Sequence, residues 1–262
     1  MEHLINYYND YDEEGRLLLL HGQVEFLTTM RYIEKYLFPG ARILEIGAGT
    51  GRYSHILTEQ GYKVDAVELI PHNIEIFQSK ITPGETITIR QGDARNLSEF
   101  ADDTYDLTLI LGPLYHMYTA EDKQQTISEA LRVTKIGGVL FAAYCITDAS
   151  LFRYGFINGN IHNLMNKNDT LGVTMPGFKA WSTPETIFEI VRKEDIDELM
   201  NGFSVERLHY VATDLYTNHM CETVDAMNNE TFALYLDYHF FLCERPDMVG
   251  LTHHSLDIFR KK

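Results

Sequence analysis

Six residues in the first hundred positions have the types and spacing to hold a small charged ligand. Glu45, Gly47, Gly49 and Gly51 lie in "RILEIGAGTGRYS", residues 42–54, Glu68 ends "VDAVE", and Asp93 sits in "GDA", 92–94. Glycines at alternate positions let a backbone take unusual dihedrals and let a ligand approach without meeting a Cβ. The amides at the start of the helix that follows, Gly51 to Tyr53, favour negative charge. A carboxylate about 20 residues further on, at the end of the next strand, can accept hydrogen bonds from both hydroxyls of a ribose. Asp93, closing a third strand, can reach an adenine amino group. The turn and the two acids together describe a nucleoside pocket far more specific than any one of them.

Other phosphate and nucleotide loops fit poorly. The triphosphate loop G-x-x-x-x-G-K-[ST] needs a Gly-Lys pair, and the chain has none. The dinucleotide fingerprint G-x-G-x-x-G needs glycine at 52, where Arg52 stands, which argues against NAD or FAD. A second group follows the fourth apolar run: Tyr115 and His116 in "GPLYHM", 112–117. His116 is suited to take a proton from an oxygen or nitrogen near neutral pH; alternatively the pair shapes the pocket wall, and Tyr144 has the same two readings. His209, His219, His239, His253 and His254 lack an H-E-x-x-H spacing or a cysteine partner, so no metal site is expected.

Positioning these groups requires an alternation of strands and helices. Residues 23–37 place Phe26, Leu27, Met30, Ile33, Tyr36 and Leu37 on one helical face, ended by Pro39-Gly40. Strands are expected at 42–46, 63–69, 86–94, 105–112 and 139–144, with helices near 51–60 and 121–134 and one entered at Pro71. Gly137-Gly138 is read as the turn into the fifth strand. This alternation points to a parallel, doubly wound α/β sheet with ligands at the carboxyl ends of its strands. From Cys145 to Gly202 the rhythm breaks: the stretch is rich in Asn, Gly and aromatics, with no clear strand, and Thr183-Pro184-Glu185 is read as a helix start. The rhythm resumes with a strand at 203–213, a helix at about 229–243 sharing Phe232, Leu236, Phe240 and Cys243 or Leu242 on one face, and a last strand in "HSLDIFRKK".

The bulk numbers narrow the partners. The 262 residues are 45% apolar and 23% charged, ordinary for a soluble globular chain. A formal charge of −16, from 38 acidic against 22 basic residues, argues against a nucleic acid partner, which needs clustered Lys and Arg. The "LLLL" run at 17–20 is far short of the roughly 20 residues that cross a bilayer. No signal-peptide pattern opens the chain, and the three cysteines, Cys145, Cys221 and Cys243, form no C-x-x-C pair. Reduced thiols and a cytoplasmic location are expected.

"LEIGAGTG" resembles the first motif of class I S-adenosylmethionine-dependent methyltransferases. "VDAVEL" resembles their ribose-binding segment, "GDA" their adenine-side loop, "LILGPLYHM" their fourth-strand motif, and "EALRVTKIGGVLFAAY" their fifth strand with its preceding helix. The resemblance covers about 40–145. It implies a Rossmann-like, seven-stranded, mostly parallel sheet with helices on both faces and its last strand antiparallel, with a lid inserted between strands 5 and 6. One domain is implied, with a helical cap at 1–40, a cofactor core at 41–144, the lid at 145–202 and a closing strand-helix-strand at 203–262. Glu45, Gly47, Ala48 and Gly49 would border the methionine part of S-adenosylmethionine, with Gly51 and Tyr53 at the helix start. Glu68 and Leu69 would flank the ribose, Asp93 and Ala94 the adenine, and Leu111 and Gly112 the sulfonium. Tyr11 and Arg16 would fold over the cofactor, Arg16 toward its carboxylate.

The expected activity is methyl transfer to a small or medium-sized acceptor, with Tyr115 and His116 as the catalytic candidates. Phe152, Arg153, Tyr154, Phe156, His162, Met165 and Trp181 are the lid side chains expected to meet it. RNA or protein acceptors, or a non-catalytic subunit that keeps the fold, are the alternatives. Against base methylation, Gly112-Pro113-Leu114 stands where an Asn or Asp before Pro-Pro would be. Oligomeric state and acceptor identity are not legible in the sequence.

Overall fold

A computed structural model describes residues 2–11, 15, 18–166 and 171–262 of the chain. Helix α1 spans Glu2–Asp10 and α2 Leu20–Tyr36. The core then runs β1 Arg42–Ile46, α3 Arg52–Glu59, β2 Lys63–Glu68, α4 Pro71–Lys80, β3 Ile87–Gln91, β4 Tyr105–Ile110, α5 Ala120–Val133 and β5 Thr134–Ile146. Strands β1 and β4 are nearly continuous apolar runs because both of their faces are covered. Ile43, Leu44 and Ile46 of β1 are fully buried, as are Leu107, Leu109 and Ile110 of β4. Burying a side chain of this size contributes about 1.5–3 kcal/mol. One face packs on α2 and α3 through Phe26, Ile33 and Leu57, and the other on α5 through Ile127 and Leu131.

After β5 come α6 Thr147–Ser150, a π-helical turn at Leu151–Ile157, α7 Ile161–Leu164, β6 Leu171–Thr174, β7 Lys179–Ser182 and β8 Ile190–Val191. The chain closes with α8 Lys193–Met200, β9 Val205–Ala212, α9 Cys221–Asp225, α10 Asn229–Leu242 and β10 His254–Lys261. The main sheet has the order β3-β2-β1-β4-β5-β10-β9. Its neighbours are parallel except β10, which runs antiparallel to β5 and β9. This is the expected seven-stranded, doubly wound arrangement. The order reverses between β1 and β4, and the crevice at their carboxyl ends is where such sheets bind ligands.

Three readings of the sequence are corrected. Gly137-Gly138 is not a turn before the fifth strand but lies inside β5. The pairing jumps from Tyr105↔Thr134 to Leu107↔Val139, and Gly137, at φ 79°, absorbs the extra residues as a bulge. The insertion does contain strands: β6 and β7 form an antiparallel hairpin, and β8 annexes the end of β5. The hairpin turns at Pro176-Gly177, and Gly172 leaves room for the Trp181 ring, which a Cβ there would meet at 2.4 Å. Pro184–Thr186 makes a single 3₁₀ turn rather than a helix, ended by Ile187 at φ 68°. In α10 the buried side chains are Phe232, His239 and Leu242, because Thr28 of α2 hydrogen-bonds His239 Nε2 at 2.9 Å; Phe240 is only half-buried.

Candidate active site

A cavity of about 730 Å³ opens at the switch point between β1 and β4. Its floor is the turn after β1. Gly47, Gly49 and Gly51 all have positive φ, at 73°, 55° and 88°. Gly47 and Ala48 donate their amides to Val67 O, which ties the turn to β2. A Cβ on Gly47 would meet Pro113 at 2.6 Å, so this glycine lets the loop after β4 close against the turn. A Cβ on Gly51 would meet Phe77 at 2.4 Å, and Gly51 does not line the cavity. Its expected cofactor contact is corrected: it makes room for the Phe77 ring beneath the turn.

Two buried carboxylates stand behind this floor. Glu68 accepts the Gly49 amide on Oε2 and the Ile70 amide on Oε1, each at 2.8 Å, with Asn73 Nδ2 at 3.5 Å. Burial raises its carboxyl above the usual range, opposed by these amides. Glu68 thus anchors the glycine turn and still lines the cavity, where a carboxylate with about four acceptor directions has capacity for further donors. Glu45 accepts the Ser54 hydroxyl. Its carboxyl is pushed up to about 8 by burial, against the Ser54 hydrogen bonds and helped by the nearby Glu68 charge.

Asp93 and Ala94 also line the cavity, but the Asp93 side chain is engaged. Arg95 grips both its oxygens through Nε and Nη2, at 3.0 and 2.6 Å, and reaches Asp122 at 2.9 Å. That ion pair holds the Asp93 carboxyl below the usual range. Leu69, Tyr53, Leu111 and Gly112 line the wall as expected. Tyr11 does not: it borders a separate cleft with His3, Tyr7 and Glu185, because its ring stacks on Tyr7 at 4.9 Å. Arg16 lies outside the described residues. Among the described residues, Arg52 and Arg95 are the arginines of the cavity wall, and the Arg52 guanidinium lies 4.4 Å from the Phe26 ring centroid.

Past β4, Pro113–His116 form a 3₁₀ turn that brings Tyr115 and His116 to the cavity. Tyr115 donates its hydroxyl to Leu111 O at 3.1 Å. His116 Nδ1 faces the Ile187 carbonyl at 2.7 Å, so Nδ1 carries the proton. Nε2 then accepts from the Tyr8 hydroxyl of α1 at 2.9 Å. Burial lowers the ring's pKa to about 4, opposed by the Ile187 bond. His116 is therefore a neutral imidazole whose basic nitrogen is covered by Tyr8. Phe188 completes this aromatic roof, with ring centroids 5.3 Å from His116 and 5.8 Å from Tyr115.

Other parts of the wall come from residues not expected there from the sequence, among them Glu25 and Thr29 of α2, Ala143 of β5, Thr213, and His254 and Leu256 of β10. Burial works against the His254 charge, but Glu25, Cys145 and Asp214 outweigh it and raise its pKa well above the usual value. The insertion contributes Pro184 to the cavity. The aromatic lid expectation is corrected: Phe152, Arg153, Tyr154, Phe156, His162, Met165 and Trp181 do not line it. Phe152, Tyr154 and Phe156 are exposed, and Trp181 is spent on the Gly172 contact. Tyr144 points into the opposite core with Ile110 and Leu140.

Sheet order and glycine turn define a doubly wound, Rossmann-like fold with the strand order of class I methyltransferases. Residues 44–142 match the family profile described as a methyltransferase domain. The methyltransferase-named protein YqeM of Bacillus subtilis is 30% identical over 131 residues, covering 50% of each chain. A demethylmenaquinone methyltransferase of Thermobifida fusca is 31% identical over 132 residues, 50% of this chain and 54% of that one. The matched stretches thus span about half the length of both relatives. A solved S-adenosylmethionine-dependent methyltransferase from Thermotoga maritima superposes with a TM-score of 0.61 at 18% identity, covering 100% of both chains. Over residues 44–142 the chain is similar to methyltransferase domains, and it has the fold seen in the class I S-adenosylmethionine-dependent methyltransferases. No described helix is long and apolar enough to cross a membrane.

Proposed function

We propose that the chain transfers a methyl group from S-adenosylmethionine to a small or medium-sized acceptor. The observation that carries this reading is the continuity of one cavity, from the glycine turn and Glu68 at one end to Tyr115, His116 and His254 at the other. The residues present fit the cofactor. Glu68 has acceptor capacity for the ribose diol, Leu69 and Ala94 flank the nucleoside, and the positive-φ turn at Gly47 and Gly49 brings bare backbone to the wall. Glu45 is the buried acid nearest to where the amino acid part would lie, with Arg52 as the candidate cation for its carboxylate. When bound, the cofactor supplies an electrophilic methyl on a sulfonium.

The protein's own contribution is position and a dry site. Gly112 and Pro113 form the stretch of wall between the two ends, and Tyr115, fixed to Leu111 O, keeps that wall in place. His116, neutral and held by Ile187, shapes the roof while Tyr8 covers it. It becomes a base for an acceptor proton only when α1 lifts Tyr8 away and exposes Nε2. The acidity of the chain and the roof built by α1 and residues 184–188 favour a small acceptor over a nucleic acid strand.

The direct test is to incubate the protein with S-adenosylmethionine and panels of amines, phenols, thiols and quinols, and to measure S-adenosylhomocysteine formed. Calorimetry with S-adenosylhomocysteine and NAD accompanies it. Tight NAD binding with no response to S-adenosylhomocysteine would overturn the assignment.

A further inference from the structure

At the acceptor end of the cavity, three segments far apart in sequence aim ligating atoms at one point. Asp214 follows β9, His253 and His254 open β10, and Glu25 faces them from α2. His254 Nδ1 lies 3.1 Å from Asp214 Oδ2, 3.2 Å from His253 Nδ1 and 3.6 Å from Glu25 Oε2. The ligating atoms of Asp214, His253 and His254 all lie within 4.8 Å of one another. A small cation can serve them together. Donors about 2.0–2.1 Å from a tetrahedral ion such as Zn²⁺ stand roughly 3.3 Å apart, close to the separations found here.

The cluster is also built to stay in place. Asp214 is buried, and its Oδ1 accepts the Thr252 hydroxyl at 2.6 Å and the His253 amide at 2.8 Å. Those bonds fix the carboxylate and leave Oδ2 turned to the histidines, the kind of outer support that orients metal ligands. Asp214 and His253 are 39 residues apart, which is why no ligand spacing shows in the sequence.

We propose that Asp214, His253 and His254 form a three-ligand site for a first-row divalent cation of the Zn²⁺ type, with the Glu25 carboxylate beside its fourth position. Two imidazoles with carboxylates suit such ions better than Mg²⁺ or Ca²⁺. His254 and Glu25 both line the cavity, so the ion's remaining position faces the acceptor space. An acceptor oxygen or thiol ligated there is held as the anion and oriented toward the cofactor end. This role rests on the methyl-transfer reading; the ion site itself does not.

The test uses the tag-free full chain, stripped with a chelator and desalted. Calorimetry with ZnCl₂ is expected to show one equivalent bound at micromolar Kd or tighter, and Co²⁺ to give the intense visible bands of a four-coordinate site. His253→Ala is expected to weaken Zn²⁺ at least ten-fold with an unchanged melting curve, and Glu25→Gln to weaken it less. Asp214→Asn is avoided because Asp214 also supports the entry to β10. Absence of Zn²⁺ binding at 100 μM, an unchanged affinity in folded His253→Ala, or a preference for Mg²⁺ overturns the proposal. S-adenosylhomocysteine is titrated into the same samples. Loss of Zn²⁺ binding with that ligand still bound sinks the ion site alone, whereas Zn²⁺ binding without it sinks the role assigned to the ion.

Discussion

Replacing Glu68 by glutamine separates the two tasks the geometry gives it. In the free protein its oxygens hold the Gly49 and Ile70 amides, each at 2.8 Å. A glutamine keeps one acceptor but turns an NH₂ group against one of those amides, so one anchor of the glycine turn is lost. An unsatisfied buried amide costs about 1–3 kcal/mol, which a chemical melt will register. In the complex, two ribose hydroxyls donating to a buried carboxylate contribute about 1.5–3 kcal/mol each, and the amide side chain retains only part of this. The expected loss in S-adenosylhomocysteine affinity is about 2–4 kcal/mol, roughly thirty- to seven-hundred-fold. Calorimetry is run on both proteins with S-adenosylhomocysteine and with its 2′-deoxy counterpart. If Glu68 holds the ribose, the variant loses much less on the deoxy ligand. An equal loss on both ligands would refute the ribose contact and leave Glu68 acting through the turn alone.

Other expectations follow from the same geometry. Glu45 is buried with its carboxyl at about 8, above the ordinary 4.5, so its contribution to stability is complete below about pH 4.5 and lost as pH rises through about 8. Glu45→Gln removes that loss: its melting temperature relative to the parent is expected to climb between pH 5 and 9, by up to about 5 kcal/mol in stability, and a pH-independent difference would contradict the buried charge. Gly51→Ala forces a Cβ into the Phe77 ring at positive φ and is expected to cost more than about 2 kcal/mol in urea melts; a neutral result would show that the turn relaxes freely. His116→Ala is expected to slow turnover while S-adenosylhomocysteine affinity changes less than threefold, and full activity would leave His116 as pocket lining. With its pKa near 4, His116 gives no activity limb between pH 5 and 9, which a pH–rate profile checks.

The end of the cavity nearest the glycine turn was legible because its residues follow one another in strand order. Glu45 lies one residue before the end of β1, Glu68 ends β2 and Asp93 follows β3 by two residues, while Gly47 to Gly51 punctuate the first of these strand ends. Distance along the chain hid the rest. Tyr8 covers His116 across 108 positions, and Glu25, Asp214 and His254 meet only because α2, the end of β9 and the start of β10 converge. The aromatic insertion misled for a different reason. Phe152, Tyr154 and Phe156 carry the composition of a pocket, but their backbone lies in a π-helical turn that exposes them, while the roof is made by the short segment at Pro184 to Phe188. The hairpin signal at Pro176-Gly177 was present and was outweighed by the surrounding Asn and Gly.

Crystals grown with S-adenosylhomocysteine test the central claim most directly. The account places the ribose hydroxyls on the Glu68 carboxylate, the adenine beside Leu69 and Ala94, and the thioether sulfur next to Gly112 and Pro113. A ligand bound elsewhere, or a cavity that remains shut to it at millimolar concentration, would contradict the assignment of this crevice to an adenosyl sulfonium.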